Sequence, residues 1–160
     1  MRDSVDSKEL TNEVYMFIPN YADLIGIPFA NRGRNKETGL DCYGLVQEFY
    51  KKFGIDIPEY YADFDDGEKI QTLISSNTQG YPWKRISEPI VPCLIAMRFG
   101  SKFVNHTGVY IGAGKFLHTR SKIGVCVDRI SNPIWRKVII GFYQYVGDAD
   151  GKADNSQESV

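Results

Sequence analysis

A cysteine lies at the start of a predicted helix, a position that favours a reactive thiol. Asp41 can cap this helix, and Cys42 follows in its first turn. Unpaired backbone N–H groups and the positive end of the helix dipole favour an anion there, so we expect Cys42 to ionise more easily than a free cysteine. Gly44 keeps side-chain bulk away from the sulfur. The pattern predicts a nucleophilic thiolate with room for a carbonyl carbon, and the alternative is a small buried core cysteine.

Both histidines of the chain, His106 and His118, fall in one predicted hairpin, on either side of residues 112–114. A three-residue loop would pair Gly108 with His118 and place the two imidazoles on the same face. A two-residue loop would pair Val109 with His118 and send them to opposite faces. In the first register, His106 can take the thiol proton while His118 orients its ring. The alternative for each histidine is a solvated or structurally satisfied side chain.

A zinc site is the third hypothesis for these residues. It would use Cys42, His106 and His118, completed by Cys93 or Cys126. The sequence has no Cys-x-x-Cys or His-x-x-x-His pair to support it. We therefore predict no metal and no cofactor, and we interpret Cys93 and Cys126 as packing residues.

The elements that must position these side chains change character along the chain. Hydrophobic spacing predicts helices first, at 19–25, 42–53 and 67–76, with loops at 26–39 and 77–92. Short β-branched or aromatic segments follow, at 94–99, 107–111, 115–119, 124–127 and 138–146. This order predicts an α+β fold, in which helices pack on an antiparallel sheet.

Size and charge restrict the classes of partner. The chain has 160 residues and is 42% hydrophobic, which suits one domain. We predict that domain at 13–147, between polar, flexible segments at 1–12 and 148–160. The formal net charge of −1 argues against nucleic acid and membrane surfaces as partners. Charges interrupt every apolar run near the amino end, so we expect no signal peptide and synthesis in the cytoplasm.

The segments around these residues resemble the NlpC/P60 family of papain-like hydrolases, which cut peptidoglycan stem peptides, typically between D-glutamate and a diamino acid. The family's cysteine motif matches Asp41, Cys42, Gly44, Leu45 and Val46. Its histidine motif matches His106, Gly108, Val109, Tyr110, Ile111 and Gly112. Its third polar residue falls on His118, twelve positions after His106. The likeness covers residues 21–146 and implies a papain-like fold, with N-terminal helices on one face of an antiparallel sheet of about five to six strands.

The resemblance also implies a substrate-binding set, at Phe29, Asp41, Tyr43 and Gly44. The family commonly has a tyrosine where this chain has Phe29, so a phenol hydrogen bond to substrate is lost. Tyr43 replaces a serine that helps to hold a free substrate amine in some members, which leaves Asp41 for that role. The usual Pro-Gly-Asp-Leu before the histidine strand is Pro-Cys-Leu-Ile at 92–95, with no catalytic group lost.

What the resemblance implies about function is a cysteine endopeptidase acting on peptidoglycan stem peptides without a cofactor. Tyr43, the loop at 33–39 and the segment 134–145 resemble tail-associated peptidases of bacteriophages. The hypothesis is a component of a virion tail, with other tail proteins as partners, that degrades wall locally in the periplasm or cell wall. Competing hypotheses are a papain-like amidase or acyltransferase with another substrate, and a non-catalytic tail-assembly protein.

Overall fold

A computed structural model of the protein describes residues 18–60 and 82–147. The helix predicted at 67–76 and the polar segments predicted at 1–12 and 148–160 lie outside the described residues, so they stay predictions. The elements run in the order β1 Arg34–Asn35, β2 Gly39–Leu40, α1 Cys42–Lys51, β3 Trp83–Ile86, β4 Leu94–Met97, β5 His106–Gly112, β6 Lys115–Arg120, β7 Gly124–Arg129, α2 Pro133–Val138 and β8 Ile139–Tyr145.

The centre of the fold is a six-stranded sheet with the strand order β3-β8-β4-β5-β6-β7, in which every pair is antiparallel. β1 and β2 form a separate antiparallel pair beside α1. The α+β prediction is confirmed. α1 packs on β5 and β6, and these two strands carry both histidines.

The buried apolar residues of the described chain form a main cluster and a smaller cluster. Successive residues of β4 belong to them in turn, so the two clusters lie on opposite faces of the sheet. Leu94 and Ala96 belong to the main core, which includes the buried stripe of α1. Ile95 and Met97 belong to a smaller cluster that includes Trp135 of α2. The prediction placed helices on one face only. The structure adds α2 on the other face.

α1 begins where the sequence predicts, because the Asp41 side chain accepts a hydrogen bond from the Gly44 backbone N–H at 2.7 Å. Residues spaced three and four apart are buried on one side of the helix: Leu45, Val46, Phe49 and Tyr50. The helix ends at Lys51, two residues before the predicted end, and turns lead to Gly54 at φ +73.

Four features differ from the predictions. Hydrogen-bonded turns at 22–26 replace the helix predicted at 19–25, with an i to i+3 bond from Leu24 N to Tyr21 O at 3.0 Å. The β1–β2 pair begins inside the segment 26–39, which was predicted as a loop. β3 lies inside the segment 77–92, which was predicted as a loop because of its prolines. The prolines flank a short edge strand that pairs with β8. α2 was not predicted; its Asn132 cap and Pro133 begin a helix of only six residues.

The hairpin between β5 and β6 reaches the expected register by a different route. The loop has two residues, Ala113 and Gly114, both at positive φ. A bulge at Ile111 absorbs one residue, so Val109 still pairs with Leu117. This register continues to Gly108 opposite His118. The loop therefore has the length of the two-residue alternative, but the strands near the histidines keep the register of the three-residue alternative. The two imidazoles share a face, and their ring centroids lie 5.2 Å apart.

Candidate active site

Cys42 and His106 line the same cleft, which has a volume of about 270 Å³. Cys42 comes from the first turn of α1 and His106 from the first position of β5. The other walls include Phe29, Phe99 and Trp135. The thiol is therefore at a solvent-connected surface and not sealed in the core, as the alternative interpretation required.

The two imidazoles and a carboxylate form a hydrogen-bonded chain behind Cys42. His106 Nε2 lies 2.9 Å from His118 Nδ1. His118 Nε2 lies 2.7 Å from Asp128 Oδ2. Because Nε2 of His106 is engaged with His118, Nδ1 is the ring nitrogen left to face a partner in the cleft. The arrangement can move a proton away from a thiol and stabilise the charge that results.

Aromatic rings hold the middle member of this chain in place. The His118 side chain has no solvent exposure. Its ring centroid lies 4.5 Å from that of Trp135 and 4.8 Å from that of Phe116. The Trp135 ring meets it edge to face, at 82°. This packing fixes the plane of the imidazole, so both of its nitrogens have defined partners.

A family model described as the NlpC/P60 family matches residues 26–144. The chain belongs to the NlpC/P60 family.

Its relatives include cell-wall enzymes and a phage protein. The chain is 30% identical over 118 residues to Murein DD-endopeptidase MepS/Murein LD-carboxypeptidase of Escherichia coli, covering 73% of this chain and 55% of the relative. It is 29% identical to the Bifunctional muramidase/DL-endopeptidase CwlT of Bacillus subtilis, covering 73% and 32%. It is 32% identical over 89 residues to Tail tip assembly protein K of Escherichia phage lambda, covering 54% and 45%. The chain thus spans about half the length, or less, of these relatives.

Solved structures of NlpC/P60 proteins share the fold. An NLP/P60 protein from Staphylococcus aureus superposes with a TM-score of 0.57 at 21% identity, covering 84% of this chain and 41% of that one. One from Bacillus cereus gives 0.55 at 24% identity, covering 81% and 41%. Within the described residues of this chain, the helices are too short or too polar to cross a bilayer.

The thiol of this NlpC/P60 domain is protonated at rest. Burial is the largest effect and raises the pKa of Cys42, and the Asp41 carboxylate raises it further. Hydrogen bonds from Thr107 and the charge of Arg34 act in the opposite direction. The expectation that the helix start makes Cys42 ionise more easily is wrong for the resting protein, because burial outweighs the helix dipole. Nucleophilic attack by this sulfur would therefore need a base to remove the thiol proton.

The two histidines are neutral at rest. The pKa of His106 is lowered to about 3, mainly by burial and in addition by the charges of His118 and Arg120. Burial also lowers the pKa of His118, although its hydrogen bond to the Asp128 carboxylate acts in the opposite direction. A neutral imidazole has a free lone pair, so His106 is in the form that can accept a proton.

These depressed pKa values predict that the fold loses stability in mild acid. The folded pKa of His106 lies below the ordinary value of 6.5, so the unfolded chain binds more protons as the pH falls. The free energy of unfolding should be highest above about pH 6.5 and should decrease towards pH 3. Urea titrations at pH 7.5 and 5.0 measure the decrease. His106→Gln is the matched variant and should show a smaller decrease; an equal decrease in both proteins would contradict the assignment.

Of the substrate-binding predictions, Phe29 is the one that the structure places on the cleft. Asp41 Oδ1 accepts hydrogen bonds from Gly44 N at 2.7 Å and from the Arg34 guanidinium at 2.6 Å, so it caps α1 and forms an ion pair. Tyr43 is buried, and its hydroxyl donates to the Pro58 carbonyl at 2.5 Å. Direct binding of substrate by Asp41 and Tyr43 stays a prediction that these contacts do not favour.

Gly44 is required by a close approach of two backbone segments. A Cβ atom at this position would collide with the carbonyl oxygen of Gly33. The glycine therefore lets α1 lie against the loop before β1, and this contact holds the helix start in position. That Gly44 also leaves room beside the sulfur stays a prediction.

Potential metal ligands converge behind the cleft and not at Cys42. Within the described residues, the side-chain ligand atoms of His118, Cys126 and Asp128 lie within 4.8 Å of one another. The positive charge of Arg120 acts on both His118 and Cys126, which disfavours a cation. The zinc shell considered as an alternative, with Cys42 and His106 as ligands, is not the group of ligand atoms that lies close together in the described residues; that group contains His118, Cys126 and Asp128.

The two remaining cysteines differ in burial. Cys93 has no solvent exposure and is a core residue as predicted. Cys126 is half-buried, and its Sγ lies 3.9 Å from Asp128 Oδ2, so it has a polar contact in addition to its packing. It lies directly opposite His118 in the pairing of β6 with β7.

Two residues of this site were not identified from the sequence. Asp128 lies one position beyond the predicted strand 124–127, whereas β7 continues to Arg129. Extending the predicted strand would have placed Asp128 on the same face as Cys126, diagonal to His118. Trp135 was missed because α2 is short and no long-range signal pairs it with β6.

Proposed function

We propose that the chain is a cysteine hydrolase that cuts an amide bond in peptidoglycan stem peptides. The observation that carries the proposal is the pairing of a thiol and an imidazole in one cleft, with a second imidazole 2.9 Å behind the first. In this proposal Cys42 is the nucleophile, His106 is the general base and His118 orients His106. Binding alone would require none of these three side chains.

The neutral resting state defines the order of steps. His106 Nδ1 accepts the Cys42 proton as the sulfur attacks the carbonyl carbon of the substrate amide. The resulting imidazolium then gives that proton to the leaving nitrogen, and the C–N bond breaks to leave a thioester. Water, deprotonated by His106, hydrolyses the thioester and restores the thiol. Substrate binding excludes water from the cleft, which strengthens each of these charge interactions.

Peptidoglycan as substrate is supported by the relatives in Escherichia coli and Bacillus subtilis, whose names state murein endopeptidase and DL-endopeptidase activities. Within the stem peptide, we propose the bond between D-glutamate and the diamino acid. The cleft volume of about 270 Å³ suits a short peptide segment rather than a folded protein.

Defined muropeptides test the substrate directly. We expect incubation with a purified tetrapeptide muropeptide to give two products whose masses sum to the substrate plus one water, with the new amine on the diamino acid. Cys126→Ala is the matched control and should give the same products. Cleavage of a non-peptidoglycan amide alone, or transfer of an acyl group without hydrolysis, would support the amidase or acyltransferase alternative.

A tail location is a second proposal, carried by the similarity to Tail tip assembly protein K. The chain would be a virion tail component that opens the wall locally, with other tail proteins as partners. Mass spectrometry of purified particles from a producing strain should detect it. Particles that contain Cys42→Ala and enter cells normally would favour a purely structural tail role.

A further inference from the structure

We infer that Asp128 is a positioning residue: acting through His118, its carboxylate fixes the tautomers of both histidines so that His106 presents an unprotonated Nδ1 to Cys42. The inference rests on the proposed function, in which His106 is the base. It assigns a role to a fourth residue, from β7, that the cysteine and histidine motifs do not contain.

The first step follows from the chemistry of a carboxylate, whose oxygens can accept a hydrogen bond but cannot donate one when ionised. His118 Nε2 lies 2.7 Å from Asp128 Oδ2, so Nε2 must carry the hydrogen. A neutral imidazole has one N–H, which leaves His118 Nδ1 as an acceptor. The carboxylate thus selects one of two tautomers that would otherwise have similar energies.

The tautomer of His118 in turn fixes the tautomer of His106. His106 Nε2 lies 2.9 Å from His118 Nδ1. Since that Nδ1 is an acceptor, His106 Nε2 must donate, and its own Nδ1 is left with a lone pair. Proton transfer from Cys42 then forms a new N–H bond at Nδ1 as the S–H bond breaks. With the opposite tautomers, His106 Nδ1 would already be protonated and could not act as the base.

The charges around His118 show why a carboxylate is needed. Arg120 disfavours positive charge on both imidazoles, and His106 lies on the other side of the ring. Cys126, the remaining titratable neighbour, shares the same oxygen of Asp128 at 3.9 Å. Asp128 is the nearest negative group, so it both aligns the hydrogen bonds and offsets the charge that His106 gains during the reaction.

Nitrogen NMR of the resting protein tests the tautomers without substrate. The chain has only two histidines, so ¹⁵N-histidine labelling gives four assignable ring signals. We expect both rings to be protonated at Nε2 and unprotonated at Nδ1 at pH 7.5. Asp128→Ala should shift His118 towards a mixture of tautomers, and Asp128→Glu should restore the single tautomer. Glu88→Ala, which removes an exposed carboxylate between β3 and β4, should match the wild type.

Kinetics supply the second readout. Asp128→Ala should lower kcat for muropeptide hydrolysis by about 100-fold or more with KM unchanged, and Asp128→Glu should recover most of the loss. Alkylation of Cys42 by iodoacetamide, located by peptide mass, should be slower in Asp128→Ala than in the wild type. Asp128→Glu should recover most of the wild-type alkylation rate. A merely structural role would alter stability but not the tautomers.

The outcomes separate this inference from the proposed function. A wild-type His118 protonated at Nδ1, or Asp128→Ala with wild-type tautomers and kcat, would overturn the inference while hydrolysis remained. The expected tautomers in a protein that cuts no muropeptide would instead overturn the proposed function. The wild-type spectrum alone decides the first point, even if Asp128→Ala does not fold.

Discussion

Cys42→Ser should lower the rate of muropeptide hydrolysis by at least about 10⁴-fold. The serine hydroxyl has nearly the same size as the thiol and keeps the first turn of α1 intact. It is a far weaker acid, however, and the protein that surrounds residue 42 on the inner side of the cleft already disfavours an anion, in line with the raised pKa of the cysteine. Product masses at a fixed enzyme concentration over several hours measure the loss.

The matched control for this substitution is Cys126→Ser, which changes a half-buried thiol on β7 in the same way. We expect its rate to stay close to that of the wild type. Equal losses in the two variants would indicate a general effect of removing a thiol on the fold. Hydrolysis by Cys42→Ser at the wild-type rate would show that the nucleophile lies elsewhere.

His106→Gln should cause a loss of at least about 10³-fold, the second largest effect. Glutamine can donate a hydrogen bond to His118 as the imidazole does, but it cannot accept the thiol proton. Without the base, attack depends on the small fraction of Cys42 that ionises by itself, so the residual rate should rise with pH. A pH profile of kcat/KM from 6 to 10 measures this slope.

The wild-type profile serves as the reference for this variant. Because the pKa of His106 is lowered to about 3, the wild-type rate should stay level well below pH 6.5. A residual rate in His106→Gln that is independent of pH would contradict the role of His106 as the base. His118→Gln, which leaves the base in place, should lose less activity than His106→Gln.

The sequence was sufficient to select the candidate catalytic residues that the structure brings together, because their signals are local. The Asp41 cap and the apolar spacing after Cys42 define α1 within a few residues. Two histidines twelve positions apart around a glycine-rich turn define a hairpin whose geometry limits how the rings can meet. Each of these two inferences depends on residues that are close in the sequence and on the backbone preferences of a helix or of a hairpin.

Properties that depend on packing could not be predicted in this way. Whether the thiol of Cys42 is acidic depends on how much protein surrounds it, and burial reversed the expected direction. The role of Asp41 as partner of Arg34 depends on the path of the β1–β2 pair. Asp128 is brought to His118 only by the pairing of β6 with β7.

The bulge at Ile111 adjusts the pairing by one residue, so that the two-residue tip and the bulge together give the alignment of β5 and β6. Adding or removing one residue at Ala113 and Gly114 could shift the pairing of the strands, and a shift of one position would turn His118 to the opposite side from His106. Grafting a peptide or a fluorescent reporter at this tip is therefore safe only when the insert forms a closed unit whose two ends return to the spacing of Gly112 and Lys115. For protein engineering, the tip can therefore accept an insertion only if the insertion leaves the pairing of β5 with β6 unchanged.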